Sequence, residues 1–128
     1  MEKRWAKMIK GIGNDIVSLE RINQVRLKHS SFSKRILTPN EERLYSKNLD
    51  LAFLAGRFSA KEAISKALGV GIGALSWQNI EILPNALGKP EVSFIGDVKG
   101  LEIKNTVVHL SISHEKDYAV ATAIWEVV

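Results

Sequence analysis

The sequence predicts an α+β fold in which an antiparallel sheet packs against one long helix. Three observations carry that prediction. Helix signals cluster in the first half of the chain, β-branched and aromatic runs cluster in the second, and a proline-free segment rich in alanine and leucine lies between them. With 128 residues, 45% hydrophobic and 25% charged, the chain is suited to one globular domain spanning 1–128.

Each element has a local cause. Met8 to Gly13 reads as a short first strand ending in glycines, and Ser18 to His29 as a helix with Ser18 at its N-cap. Thr38-Pro39-Asn40-Glu41 starts a second helix that runs to about Lys47: threonine caps, proline sits in the first turn and acidic residues meet the positive dipole end. Asp50 to Leu68, closed by Gly69, is the longest helix. Strands follow at Trp77 to Leu83, Glu91 to Ile95, Thr106 to Ser113 and Tyr118 to Val127, the last two pairing as an antiparallel hairpin. Gly69-Val70-Gly71-Ile72-Gly73 lacks the lysine and hydroxyl residue of a phosphate-binding loop and follows a helix, so it reads as a helix-terminating turn.

Composition narrows the function. The chain has no cysteine, which excludes disulfides, thiol catalysis and cysteine-ligated zinc and makes the cytoplasm the expected compartment. The basic start Met1 to Met8 leads into Lys10, Gly11 and Asn14 instead of an apolar stretch, so neither a secretion signal nor a membrane segment is expected. A net charge of +4 predicts attraction to a polyanion: nucleic acid, a phosphorylated small molecule or an acidic protein.

On a helical wheel, Phe53, Leu54, Phe58, Ile64 and Leu68 form one apolar arc, and Arg57 and Lys61 fall inside it. Two readings are open: the cations line a cleft and meet anions there, or their stems lie on apolar surface while their heads reach water. Glu62 and Lys66 stand one turn apart at the edge of the arc, near Ser59, as a solvated ion pair or as part of a phosphate site. Asp15 follows the glycine-flanked strand. It either caps the next turn or converges with Glu62 on a hard-oxygen site suited to magnesium. Along Val107 to His114, apolar Val108, Leu110 and Ile112 alternate with polar His109, Ser111 and Ser113. Arg21, Gln24 and Lys28 form a polar stripe on the first helix, with Arg26 nearby and Lys34 and Arg35 beyond, which reads as a solvated face or as a docking surface for an acidic helix.

Four segments together resemble a known family: Gly11-Ile12-Gly13-Asn14-Asp15-Ile16-Val17, the run Arg57-Phe58-Ser59-Ala60-Lys61-Glu62-Ala63-Ile64-Ser65-Lys66-Ala67-Leu68-Gly69, Gly88-Lys89-Pro90, and His109-Leu110-Ser111-Ile112-Ser113-His114. In this order they look like a 4'-phosphopantetheinyl transferase of the short holo-acyl-carrier-protein synthase type, from about Ile9 to Trp125. The resemblance implies transfer of phosphopantetheine from coenzyme A to a serine of an apo acyl carrier protein, in support of fatty acid biosynthesis. It also implies a Mg2+ site at Asp15 and Glu62, with Lys61 and Lys66 steadying the diphosphate and Lys66 aiding the leaving group. Arg57 would be a phosphate or structural anchor, and His109 a coenzyme A contact. Glu62 or a metal-bound water would take the serine proton. Short family members assemble as trimers with sites between neighbours, and usually begin near the first strand, so Met1 to Lys7 is expected to be an extension and Met8 an alternative start. The competing reading is a nucleic-acid-binding domain that stacks bases on Trp5 and Trp77; it gives no reason for Asp15 or Glu62.

Overall fold

The computed structural model describes residues 7–73, 75–98 and 100–128; Trp5 and all but Lys7 of the expected extension lie outside them. Strand β1 (Met8–Ser18) leads into helices α1 (Leu19–Lys28), α2 (Phe32–Ile36), α3 (Pro39–Tyr45) and α4 (Leu51–Leu68). A 3-10 turn (Trp77–Asn79) precedes β2 (Ile80–Pro84) and β3 (Pro90–Phe94), and β4 (Thr106–His114) and β5 (Tyr118–Val127) complete the order. The strands form an antiparallel sheet of order β1-β5-β4 and a separate β2-β3 hairpin.

The helix ends form where local chemistry puts them. The Ser18 side chain accepts the Arg21 N–H, Thr38 and Glu41 form a reciprocal capping box, Asp50 caps α4, and Gly69 closes α4 at φ +76°. The five-residue α2 is not foreseen; Ser31 before it makes no side-chain cap. Residues 77–79, expected as strand, form a 3-10 turn because the Ser76 hydroxyl and the Asn79 amide cap each other's backbone.

Strand β1 is longer than its apolar run predicts. It continues through Asn14 and Asp15 to Ser18 because Asp15 pairs with Ala121 and Ser18 with Tyr118 of the central strand. Asp15 is therefore a mid-strand residue and caps no turn. Its neighbours explain how α4 reaches the sheet. A methyl group on Gly11 would overlap the Ala67 carbonyl, and one on Gly13 would overlap the Ala63 carbonyl, so helix backbone lies directly on strand backbone. Ala119, Ala121 and Ala123 of β5 are buried on the same side. Small residues thus seat α4 on β1 and β5, and Asp15, two residues beyond Gly13, comes to the helix with them.

Candidate active site

Helix α4 carries two chemically different sides. At ~100° per residue, Glu62 and Lys66 lie about 40° apart, as do Arg57 and Lys61, whereas Arg57 and Lys66 are about half a turn apart. Only the first pair joins Asp15. Lys66 Nζ lies 3.2 Å from Asp15 Oδ1 and donates to the Asn14 carbonyl at 2.9 Å. Ser59 Oγ donates to the Asp15 carbonyl at 2.9 Å, pinning β1 to the helix one turn before Glu62.

Asp15 and Glu62 line one cavity of about 300 Å³ together with Arg21, Phe32 and Phe58. Burial raises the Glu62 carboxyl above its ordinary value; Asp15 raises it further and Lys66 opposes both. Two carboxylates that feel each other at a cavity wall suit a magnesium ion, which takes one or two protein carboxylates and completes its shell with phosphate and water. Among the described residues no group of three or more potential metal ligands occurs, so phosphate or water oxygens would supply the rest.

Lys61 does not join this site. Its side chain is fully buried, and its three N–H groups go to Glu41 Oε1 (2.7 Å), the Ile36 carbonyl (2.7 Å) and the Trp77 carbonyl (3.1 Å). An ammonium so saturated cannot steady a diphosphate, which corrects the role expected of it. Nor does its head reach water: the anion it meets is Glu41, placed there by the α3 capping box. Burial lowers the Lys61 pKa, and the Glu41 carboxylate opposes that shift.

Arg57 is also buried. Its Nε donates to the Ile82 carbonyl at 3.1 Å, and its guanidinium lies 4.3 Å from the Phe53 ring centre. It lines a second cavity, of about 290 Å³, with Gly56, Pro84, Gly88, Pro90 and His114. Both groups of the Gly88-Lys89-Pro90 and His109 to His114 motifs thus contribute to a cavity on the Arg57 side of α4. His109 itself stands exposed on the outer sheet face, 2.7 Å from Glu126, facing away from Asp15.

Arg21, Gln24 and Lys28 are exposed along α1, and Gln24 donates to Glu20. Arg26 is turned inward instead, bonded to Asn23, Tyr45 and the Leu49 carbonyl. Trp77, a candidate stacking residue, packs on Phe58 with ring centres 5.1 Å apart. The residue that sequence reasoning missed is Glu41, whose charge reads as a helix-end preference; the signal for it was two cations inside an apolar arc that holds no acidic residue in its interior.

The family model described as "4'-phosphopantetheinyl transferase superfamily" matches residues 11–123. A holo-[acyl-carrier-protein] synthase of Alkaliphilus oremlandii is 48% identical over 120 residues, covering 91% of this chain and 98% of its own. A crystal structure of the holo-(acyl-carrier-protein) synthase of Bacillus anthracis in complex with CoA (3',5'-ADP) superposes with a TM-score of 0.81 at 42% identity, covering 94% of this chain and 99% of that one. The Helicobacter pylori holo-[acyl-carrier-protein] synthase in complex with coenzyme A gives a TM-score of 0.78 at 34% identity, covering 89% and 98%. With the motifs, the fold and the length all matched, the chain belongs to the 4'-phosphopantetheinyl transferase superfamily, among its holo-acyl-carrier-protein synthases.

Proposed function

We infer that this chain moves the 4'-phosphopantetheine group of coenzyme A onto a serine of an apo acyl carrier protein, releasing adenosine 3',5'-bisphosphate. The observation that carries the reading is the meeting of Asp15, Glu62 and Arg21 around one cavity, with Lys66 bonded to Asp15, in a chain whose relatives are synthases of this kind. The serine oxygen bonds to the phosphorus next to the pantetheine as the bond to the adenosine 3',5'-bisphosphate oxygen breaks. Such a reaction needs positioning and charge neutralisation more than covalent help.

Asp15 and Glu62 are the residues that would hold Mg2+, and the ion, when bound, would neutralise the diphosphate. Lys66, 53% exposed, can turn its ammonium from Asp15 to a phosphate oxygen and so favour departure of the nucleotide. The serine proton would pass to Glu62 or to a water beside it. The cavity beside Arg57, Gly88 and Pro90 is assigned to the nucleotide end of coenzyme A.

That cavity and the Asp15 site lie on different sides of α4, which supports a site shared between neighbouring subunits. The outer sheet face offers the contact surface: Ile12 and Ile16 are each 63% exposed on either side of an Asn14–Thr122 hydrogen bond. We assign a homotrimer on that face, with His109 reaching coenzyme A bound to an adjacent subunit. The reaction draws on coenzyme A and supports fatty acid biosynthesis in the cytoplasm; no described helix is long and apolar enough to cross a membrane. A nucleic-acid interface is disfavoured because Arg57 and Lys61 are buried and Trp77 is packed against Phe58.

The test is the intact mass of an apo acyl carrier protein after incubation with this chain, coenzyme A and Mg2+. A gain of one phosphopantetheine, lost with chelator, is expected; no gain with any of several carrier proteins overturns the reading. Docking is tested separately by Arg21→Glu. Association with the acidic carrier should slow by about tenfold at low salt and lose much of its salt dependence, read by stopped-flow fluorescence. Unchanged kinetics would remove α1 from the interface.

A further inference from the structure

The Glu41–Lys61 pair is the most deeply buried ion pair among the described residues, and the transfer reaction as derived above does not use it. Its contacts reach well beyond α4. Glu41 Oε1 accepts from Lys61 Nζ and, at 2.8 Å, from the Thr38 N–H, while Oε2 accepts the Ile82 N–H at 2.7 Å. Arg57 donates to the Ile82 carbonyl. Both backbone groups of this one β2 residue are therefore held by charged side chains, one from α3 and one from α4. Lys61 adds the end of α2 and the 3-10 turn through the Ile36 and Trp77 carbonyls.

The β2-β3 hairpin needs such an anchor. A two-stranded hairpin is marginal by itself, and these two strands form a sheet of their own, apart from the three-stranded one. Its far end carries Pro84, Gly88 and Pro90, which form one wall of the cavity whose opposite wall is Gly56 and Arg57 of α4. Whatever fixes Ile82 against α4 fixes the width of that cavity.

We propose that Glu41 and Lys61 are positioning residues that hold the β2-β3 hairpin at the spacing from α4 required to bind the nucleotide end of coenzyme A. The inference rests on the assignment of that cavity made above. Glu41 acts on the cavity through Ile82, Lys61 acts through Glu41, and neither lines the cavity. Because it lies on the side of α4 away from Asp15, it leaves the metal site alone, so its loss divides the kinetic constants unevenly.

Glu41→Gln is the informative change. The glutamine oxygen can still accept from Lys61 and Thr38, but its amide nitrogen then faces the Ile82 N–H as donor against donor. The dissociation constant of adenosine 3',5'-bisphosphate, measured by calorimetry, should rise about tenfold, the scale of one hydrogen bond to a charged group. Half-saturating Mg2+ and the KM for the carrier protein should move less than about twofold. Unchanged nucleotide binding, or an equal loss in all three quantities, overturns the proposal.

A second measurement uses the unaltered protein and does not depend on the variant folding. By linkage, a nucleotide that binds between the hairpin and α4 must stabilise the clamp that spaces them. Saturation with adenosine 3',5'-bisphosphate should slow hydrogen exchange at the Ile82 amide by about tenfold or more, read by NMR. Binding with no change at Ile82 overturns the positioning role alone. Absence of nucleotide binding to the unaltered protein overturns the cavity assignment and the positioning role together.

Discussion

Glu62→Gln should lower kcat/KM for phosphopantetheine transfer by about three orders of magnitude, a loss of about 4 kcal/mol of transition-state stabilisation. Glutamine keeps the shape and loses the charge. Asp15 is then the sole carboxylate of the pair, and Lys66 already stands against it. The same change should make the metal-free protein more stable at neutral pH. Burial first, and Asp15 second, raise the folded-state pKa of Glu62 above its ordinary 4.5. A carboxyl whose folded value is raised contributes stability that is fully present below the unfolded value and is lost as pH rises through the folded one. As pH rises through that folded value the stability is lost in the parent, whereas the glutamine variant has no such carboxyl to lose it. The variant should therefore melt higher at pH 7 without Mg2+, the two curves should converge below about pH 4.5, and Mg2+ should raise the melting temperature of the parent only. Thermal melts with and without Mg2+, beside the kinetics, check all of this. A variant both inactive and less stable at pH 7 would show that Glu62 is needed for packing and not for its charge.

The opposite effects on stability and activity mark Glu62 as a residue held in an unfavourable setting, and settings of that kind are partly legible in a sequence. Asp15 and Glu62 stand out because one carboxylate follows Gly11-Ile12-Gly13 and the other stands one turn before Lys66 on a helix whose ends carry clear local signals. Ser18, Thr38, Asp50 and Gly69 end helices by hydrogen bonds within three or four residues, so they can be read directly. The Lys61 role could not be read that way. Its partner is 20 positions away, and Glu41 already has a sufficient local reason to be where it is, as the third residue of a capping box. Nor could the length of β1: Asn14 and Asp15 break its apolar run, and only pairing with Thr122 and Ala121 keeps the strand going. The wheel correctly puts Arg57 and Lys61 among apolar residues, but it cannot say that a second helix delivers the anion.

Gly13→Ala is expected to cost about 3 kcal/mol or more, because the overpacked atom meets backbone that cannot rotate away. The added methyl would overlap the Ala63 carbonyl and lie 2.7 Å from the Ala67 nitrogen and 2.9 Å from the Ala63 carbonyl carbon. All three atoms are main-chain atoms in the C-terminal half of α4, so the helix must shift or part from β1. For a domain of this size the melting temperature should fall by roughly 10 °C, seen by circular dichroism at fixed protein concentration. The obstruction is a main-chain oxygen, so trimming the facing side chain with Ala63→Gly should not restore stability, although it would if two side chains were competing for space. Function should suffer beyond the loss of folded protein. The displaced surface is the one that carries Ser59 to the Asp15 carbonyl and Lys66 to the Asn14 carbonyl, and so sets the approach of Asp15 to Glu62. At a temperature where the variant is still fully folded, its half-saturating Mg2+ concentration should therefore rise several-fold. An unchanged Mg2+ dependence would mean that the carboxylates hold their spacing without the glycine contact, and that Gly13 serves stability alone.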